Sequence, residues 1–137
     1  MARAFFERME SDQMLDHISF GVSDIGRSAA FYDAVLAPLG FVRVWSAADA
    51  AGYGNPGKED VFAIKAEAAE SVCSSGRTHL AFAAADRASV VAFHAAAMAR
   101  GAVDDGAPGL CPEYGEGYFA AFIVDPDGYR IEAVRHE

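Results

Sequence analysis

Two stretches of the chain are versions of each other. LDHISFGVSDIGRSAAFYDAVL, from Leu15, lines up with THLAFAAADRASVVAFHAAAM, from Thr78, so that His17 meets His79, Asp24 meets Asp86 and Phe31 meets Phe93, each pair 62 positions apart. Neither copy is long enough to bury a core alone, so an internal repeat of this size implies two equivalent halves sharing one core. Residues placed equivalently in both halves can then converge on one site. Two histidines are so placed.

At 137 residues the chain has the length of one domain, large enough to bury roughly 70% of its unfolded surface. Eleven Lys and Arg against 20 Asp and Glu give a net charge of −9, and the basic residues are scattered singly. A phosphate backbone would be repelled, which excludes nucleic acid as a partner. No window approaches the roughly 18 apolar residues of a membrane span. Cys73 and Cys111 lack CxxC spacing, and two free thiols without an export signal in residues 1–14 point to a reducing cytoplasm. Residues 1–13 form an N-terminal extension carrying Phe5 and Phe6. It reads as a frayed terminus, or as a short helix laying both rings on a partner subunit.

From residue 14 onward a single domain is expected, with one module over about 14–68 and a second over about 77–136. In the first, Leu15 to Val22 alternates with period two. Ile18, Phe20 and Val22 share one face; Leu15, His17, Ser19 and Gly21 share the other. Asp24 is an N-cap, a helix follows through Leu36, and Pro38 and Gly40 close it. Phe41 to Trp45 reads as a strand, AAGYGNPGKED as a turn or hairpin loop, and Val61 to Lys65 as a further strand. The second module repeats this order. Its first strand puts His79 opposite in facing to Leu80 and Phe82, Asp86 caps its helix, and Gly101 ends it. Residues Ala102 to Gly117 read as a glycine- and proline-rich loop, followed by a strand from Tyr118 to Val124, the turn DPDG, and a last strand from Tyr129 to Arg135. Parity leaves Arg130, Glu132 and Val134 on the face that carries His17 and His79. The fold class is α+β: two βαβββ modules forming a cupped mixed sheet, with helices on the outer face.

Two imidazoles and a carboxylate on one face leave three positions open on an octahedral ion, as direct binding of substrate requires. Other residues of that face and its rim are candidates for substrate contact or catalysis: Ser19, Lys65, Arg130, and Glu113 and Tyr114 on the glycine-rich loop, beside Cys111 and Glu116. His94 falls on the helix side as a packing or rim residue. His136 lies four residues from Glu132, about 13 Å along a strand, too far to share an ion.

LDHISFGVSDIGRSAAFYDAVLAPLGF, THLAF and FIVDPDGYRIEAV resemble the vicinal oxygen chelate superfamily, which includes glyoxalase I, fosfomycin thiol transferases, extradiol dioxygenases and bleomycin-resistance proteins. The resemblance spans roughly residues 14 to 136. It implies a metal site at His17, His79 and Glu132 that holds one divalent ion, whether iron, manganese, nickel or zinc, and a small oxygenated substrate activated by Lewis-acid chemistry in a lyase, thiol transferase or dioxygenase. Glutathione or another thiol is then a possible co-substrate, and a homodimer the expected assembly. The alternative is a metal-free small-ligand-binding protein of the bleomycin-resistance kind. Glyoxalase I draws a fourth ligand from the last strand of its first half. VFAIK at Val61 to Lys65 offers none, with Glu67 the nearest carboxylate, which argues for a three-ligand site.

Overall fold

The structure, a computed structural model, describes residues 14–72, 74–75 and 77–137. Its first half runs β1 (Ile18–Val22), α1 (Ile25–Leu36), β2 (Val42–Ala47), β3 (Ala50–Gly54) and β4 (Phe62–Ala66). Its second half runs β5 (His79–Ala83), α2 (Arg87–Ala99), β6 (Val103–Leu110), β7 (Tyr118–Val124) and β8 (Arg130–His136). Each half builds a four-stranded mixed sheet, ordered β1-β4-β3-β2 and β5-β8-β7-β6, with its first strand parallel to its last. The paired βαβββ architecture implied by the repeat is therefore present.

Local chemistry starts both helices alike. Asp24 accepts from the Arg27 amide at 3.0 Å, and Asp86 from the Ser89 amide at 2.7 Å, satisfying amides that would otherwise lack a partner. Their apolar sides pack on the sheets. Phe20 and Val22 of β1, Phe62 and Ile64 of β4, Ile123 of β7 and Ile131 of β8 all belong to one cluster with both helices. Rings join the halves, Phe62 against Phe82 at 5.3 Å and Phe20 stacked on Tyr129 at 4.2 Å. The helix-side faces of both sheets thus enter one shared core. Their other faces, with His17 and Ser19 in one half and His79 and Glu132 in the other, lie outside it.

The DPDG turn clasps the first half. Asp125, buried, accepts from the Tyr32 hydroxyl at 2.5 Å and from the amides of Asp127 and Tyr129 at 2.9 Å each. Asp127 accepts from the amide and hydroxyl of Ser23, and the Tyr129 hydroxyl donates to the Gly21 carbonyl at 2.7 Å.

Two segments expected as loops are strands. Ala50–Gly54 within AAGYGNPGKED is β3, buried throughout, and Val103–Leu110 within the Ala102 to Gly117 stretch is β6. Small residues there provide room. A Cβ on Gly52 would lie 2.1 Å from Trp45 Nε1, one on Gly54 2.5 Å from the Glu59 carbonyl oxygen, and one on Gly106 2.8 Å from the Phe122 ring. β6 pairs with β7 through two register shifts about Gly106, which accommodate Pro108. The first strand begins at Ile18 rather than Leu15, and the last runs on to His136. Residues 1–13 and Cys73 lie outside the described residues, so the readings of the extension and of the Cys73 thiol do too. Among the described residues no helix is long and apolar enough to cross a membrane.

Candidate active site

The parallel pairing of β5 with β8 sets His79 opposite Arg130 and Ala81 opposite Glu132, so all four share the outer face of the second sheet. His79 Nε2 lies 2.8 Å from Glu132 Oε1. The Tyr118 hydroxyl, from β7, donates to Glu132 Oε2. Glu132 is only 1% exposed, and a buried carboxylate is tolerable because both of its oxygens are engaged. Tyr118 was not among the residues singled out from the sequence. The signal was the hairpin register, which sets Phe122 opposite Glu132 and so puts Tyr118 on the same face. Burial, then the hydrogen bond to Glu132, pushes the Tyr118 phenol well up from its ordinary range.

An open cavity of about 550 Å³ adjoins this pair, with His79, Phe122 and Arg130 on the sheet, Arg77 before β5, and Cys111, Glu113 and Tyr114 on the β6–β7 connection. Arg130 is held by Asp105 at 3.3 Å. The Cys111 thiol is pushed up by burial, reinforced by Glu113 and Glu132. Tyr114 stands exposed, its ring 5.3 Å from that of Tyr118, which also receives His136 edge-on at 5.0 Å.

His17 does not join this group within one chain. It is exposed, its Nδ1 lies 2.7 Å from Asp16, and it borders a separate, mainly apolar cavity of about 220 Å³ with Leu36, Phe62 and Phe82. Among the described residues no three of His, Cys, Asp and Glu are grouped closely enough to hold a metal ion. The cause is the shared core, which turns the polar faces of the two sheets outward instead of toward each other. Ser19 and Lys65 lie on the first sheet's outer face, Ser19 paired with Ala63 and Lys65 with Gly21, away from the His79 cavity. Ser19 and Ala81 are repeat mates, so Ala63 stands where the second half has Glu132. Glu67 folds over Gly21, its Oε2 1.9 Å from where a Cβ would sit; that is four strand residues, about 13 Å, from His17. His94 bonds Asp104 at 3.0 Å, off the site as expected.

The family described as Glyoxalase/Bleomycin resistance protein/Dioxygenase superfamily matches residues 14–133. A solved glyoxalase/bleomycin resistance protein from Albidiferax ferrireducens T118 is similar, with 30% identity over 89% of this chain and 98% of the other and a TM-score of 0.74. A glyoxalase/bleomycin resistance protein/dioxygenase family enzyme from Burkholderia phytofirmans PsJN shares the fold at 21% identity, 91% and 100% coverage and a TM-score of 0.70. So does a putative glyoxalase from Bacillus halodurans, at 23% identity, 92% and 98% coverage and 0.69. No match was found among curated protein sequences. With the family matching most of this chain and the doubled βαβββ plan in place, the chain belongs to the glyoxalase/bleomycin resistance protein/dioxygenase superfamily.

Proposed function

We propose that the protein is a divalent-metal-dependent enzyme that activates a small oxygenated substrate, its site formed by His79 and Glu132 of one chain and His17 of a second copy. One observation carries this reading: a fully buried carboxylate paired at 2.8 Å with an imidazole that lines an open cavity. The donor chemistry is partly met within one chain, where His79 Nε2 and Glu132 Oε1 stand at a separation suited to two ligands of one ion. The third donor, His17, is exposed on an outward face, where a second copy can reach it.

When bound, a divalent ion would supply Lewis-acid polarisation of adjacent substrate oxygens. The chain's own residues do the rest. Tyr118 fixes one oxygen of Glu132 and so orients the other toward His79. Phe122 gives the substrate an apolar wall, and the Tyr114 loop borders the opening. Ala63, where a fourth ligand would stand, leaves the first half without a carboxylate base, so turnover of the methylglyoxal–glutathione hemithioacetal should be weak or absent. Thiol addition and oxygen-dependent ring cleavage remain open to a three-donor site.

Metal analysis of protein purified without chelator tests the proposal. Stoichiometric metal is expected in the wild type, lost in His17→Ala, His79→Ala and Glu132→Ala and kept in His94→Ala; unchanged metal in two of the first three would sink it. The second reading, a metal-free binding protein, draws on the His79–Glu132 pair being satisfied without an ion. Metal-free protein that still takes up a small ligand in the cavity would favour it.

A further inference from the structure

We infer that the substrate carries a carboxylate, which Arg130 takes over from Asp105, leaving the oxygen-bearing carbon beside it turned toward His79. The inference rests on the reading of His79 and Glu132 as the reaction centre and adds the substrate's charge and the residue that selects it.

Register places the groups. Arg130 is the direct cross-strand neighbour of His79, and Glu132 lies two residues further along the same face. Neighbouring strands stand about 4.8 Å apart and two residues span about 6.6 Å. A guanidinium at Arg130 and the reactive pair are thus one small molecule apart. In this setting Arg130 is under-used. Among the described residues its one ion pair is a single contact of 3.3 Å to Asp105, with the side chains 47% and 32% exposed, the kind of pair that contributes little and exchanges readily. A carboxylate can offer a guanidinium two parallel hydrogen bonds instead of one.

The remaining wall agrees. Arg77 lines the same cavity and makes no ion pair among the described residues. Two of the chain's eleven basic residues therefore meet in one cavity of a protein whose net charge is −9. Asp105 and Glu113, which also line it, offset both guanidiniums in net charge, so an anion would be recognised by the directed hydrogen bonds of Arg130 and not by a positive field. A lining with no surplus positive charge disfavours a polyphosphate and leaves one carboxylate, paired with Arg130, as the anion it can take. Phe122 presents its ring for the hydrocarbon part of the ligand.

Titration calorimetry with mandelate and with 1-phenyl-1,2-ethanediol separates the terms, since the diol keeps ring and vicinal oxygens but lacks the charge. Mandelate should bind about tenfold more tightly than the diol, and Arg130→Gln should erase that advantage while leaving diol binding alone. Asp105→Asn should tighten mandelate binding. Both ligands are measured on chelator-treated and on manganese-supplemented protein. The mandelate preference is expected in each, so absence of a metal effect would count against the metal reading and not against this one. Equal binding of the two ligands, no saturable binding of mandelate, or mandelate affinity unchanged in Arg130→Gln overturns the inference.

Discussion

Glu132 shows what a single buried charge demands of its surroundings. With one oxygen on His79 and the other on Tyr118, both oxygens are engaged, and each partner fixes the direction of the other oxygen. Replacing Tyr118 by Phe removes one hydrogen-bond donor to Glu132 but keeps the ring between Tyr114 and His136. Metal affinity in Tyr118→Phe should fall roughly 10- to 100-fold, read by competition with a chromogenic chelator, while the unfolding midpoint changes little. Asp125 gives the opposite kind of test. Burial raises its pKa, against the pull of its donors from Tyr32, Tyr129 and Asp127. A carboxyl whose folded pKa is raised binds its proton more tightly in the native state, so its contribution to stability is lost as pH rises from the unfolded pKa through the folded one. Asp125→Asn cannot ionise. Urea unfolding at pH 4 and pH 7 should therefore show the variant gaining on the wild type as pH rises, and a difference independent of pH would contradict the assignment.

Elements whose sequence carries alternation or caps were readable at once. β1, β5 and β8 alternate, Asp24 and Asp86 mark the helix starts, and β7 has the bounds its pattern suggests. β3 and β6 were not readable, because alanine, glycine and proline carry little intrinsic preference for a strand. What makes them strands lies in their neighbours, Trp45 over Gly52 and Phe122 against Gly106, and no local pattern records that. The same dependence yields a measurement. Trp45 is the chain's single tryptophan, and in Gly52→Ala the new methyl would displace it. Its emission should shift to longer wavelength, with a stability loss of about 1–3 kcal/mol. Unshifted emission would mean that the strand, not the indole, yields.

At the scale of the whole molecule, the repeat disclosed the doubling but not its handedness toward the site. Strand parity told which face His17, His79 and Glu132 occupy. It could not tell whether the two faces meet within one chain, since that depends on which surfaces of the modules form the shared core. Phe62 on Phe82 and Phe20 on Tyr129 settle it, joining the helix sides and turning both polar faces outward. If a homodimer completes the site, His17→Ala and Glu132→Ala are complementary defects. Each alone should hold no metal. Refolded together in equal amounts, they should recover about a quarter of the wild-type stoichiometry, because half of the dimers are mixed and each mixed dimer has one intact site. No recovery, with mixed dimers verified by mass, would place the third donor elsewhere.

The clasp around the DPDG turn runs one way. Asp125 holds Tyr32, Asp127 holds Ser23 and Tyr129 holds Gly21, all reaching from the second half into the first. At the corresponding place before β4, the first half has the exposed residues Lys58 and Glu59. In evolutionary terms the duplication has become a ratchet. A gene for the first half alone would encode a Tyr32 hydroxyl without its Asp125 acceptor, and two first halves set together could not replace it. The halves still resemble each other, but they have ceased to be interchangeable.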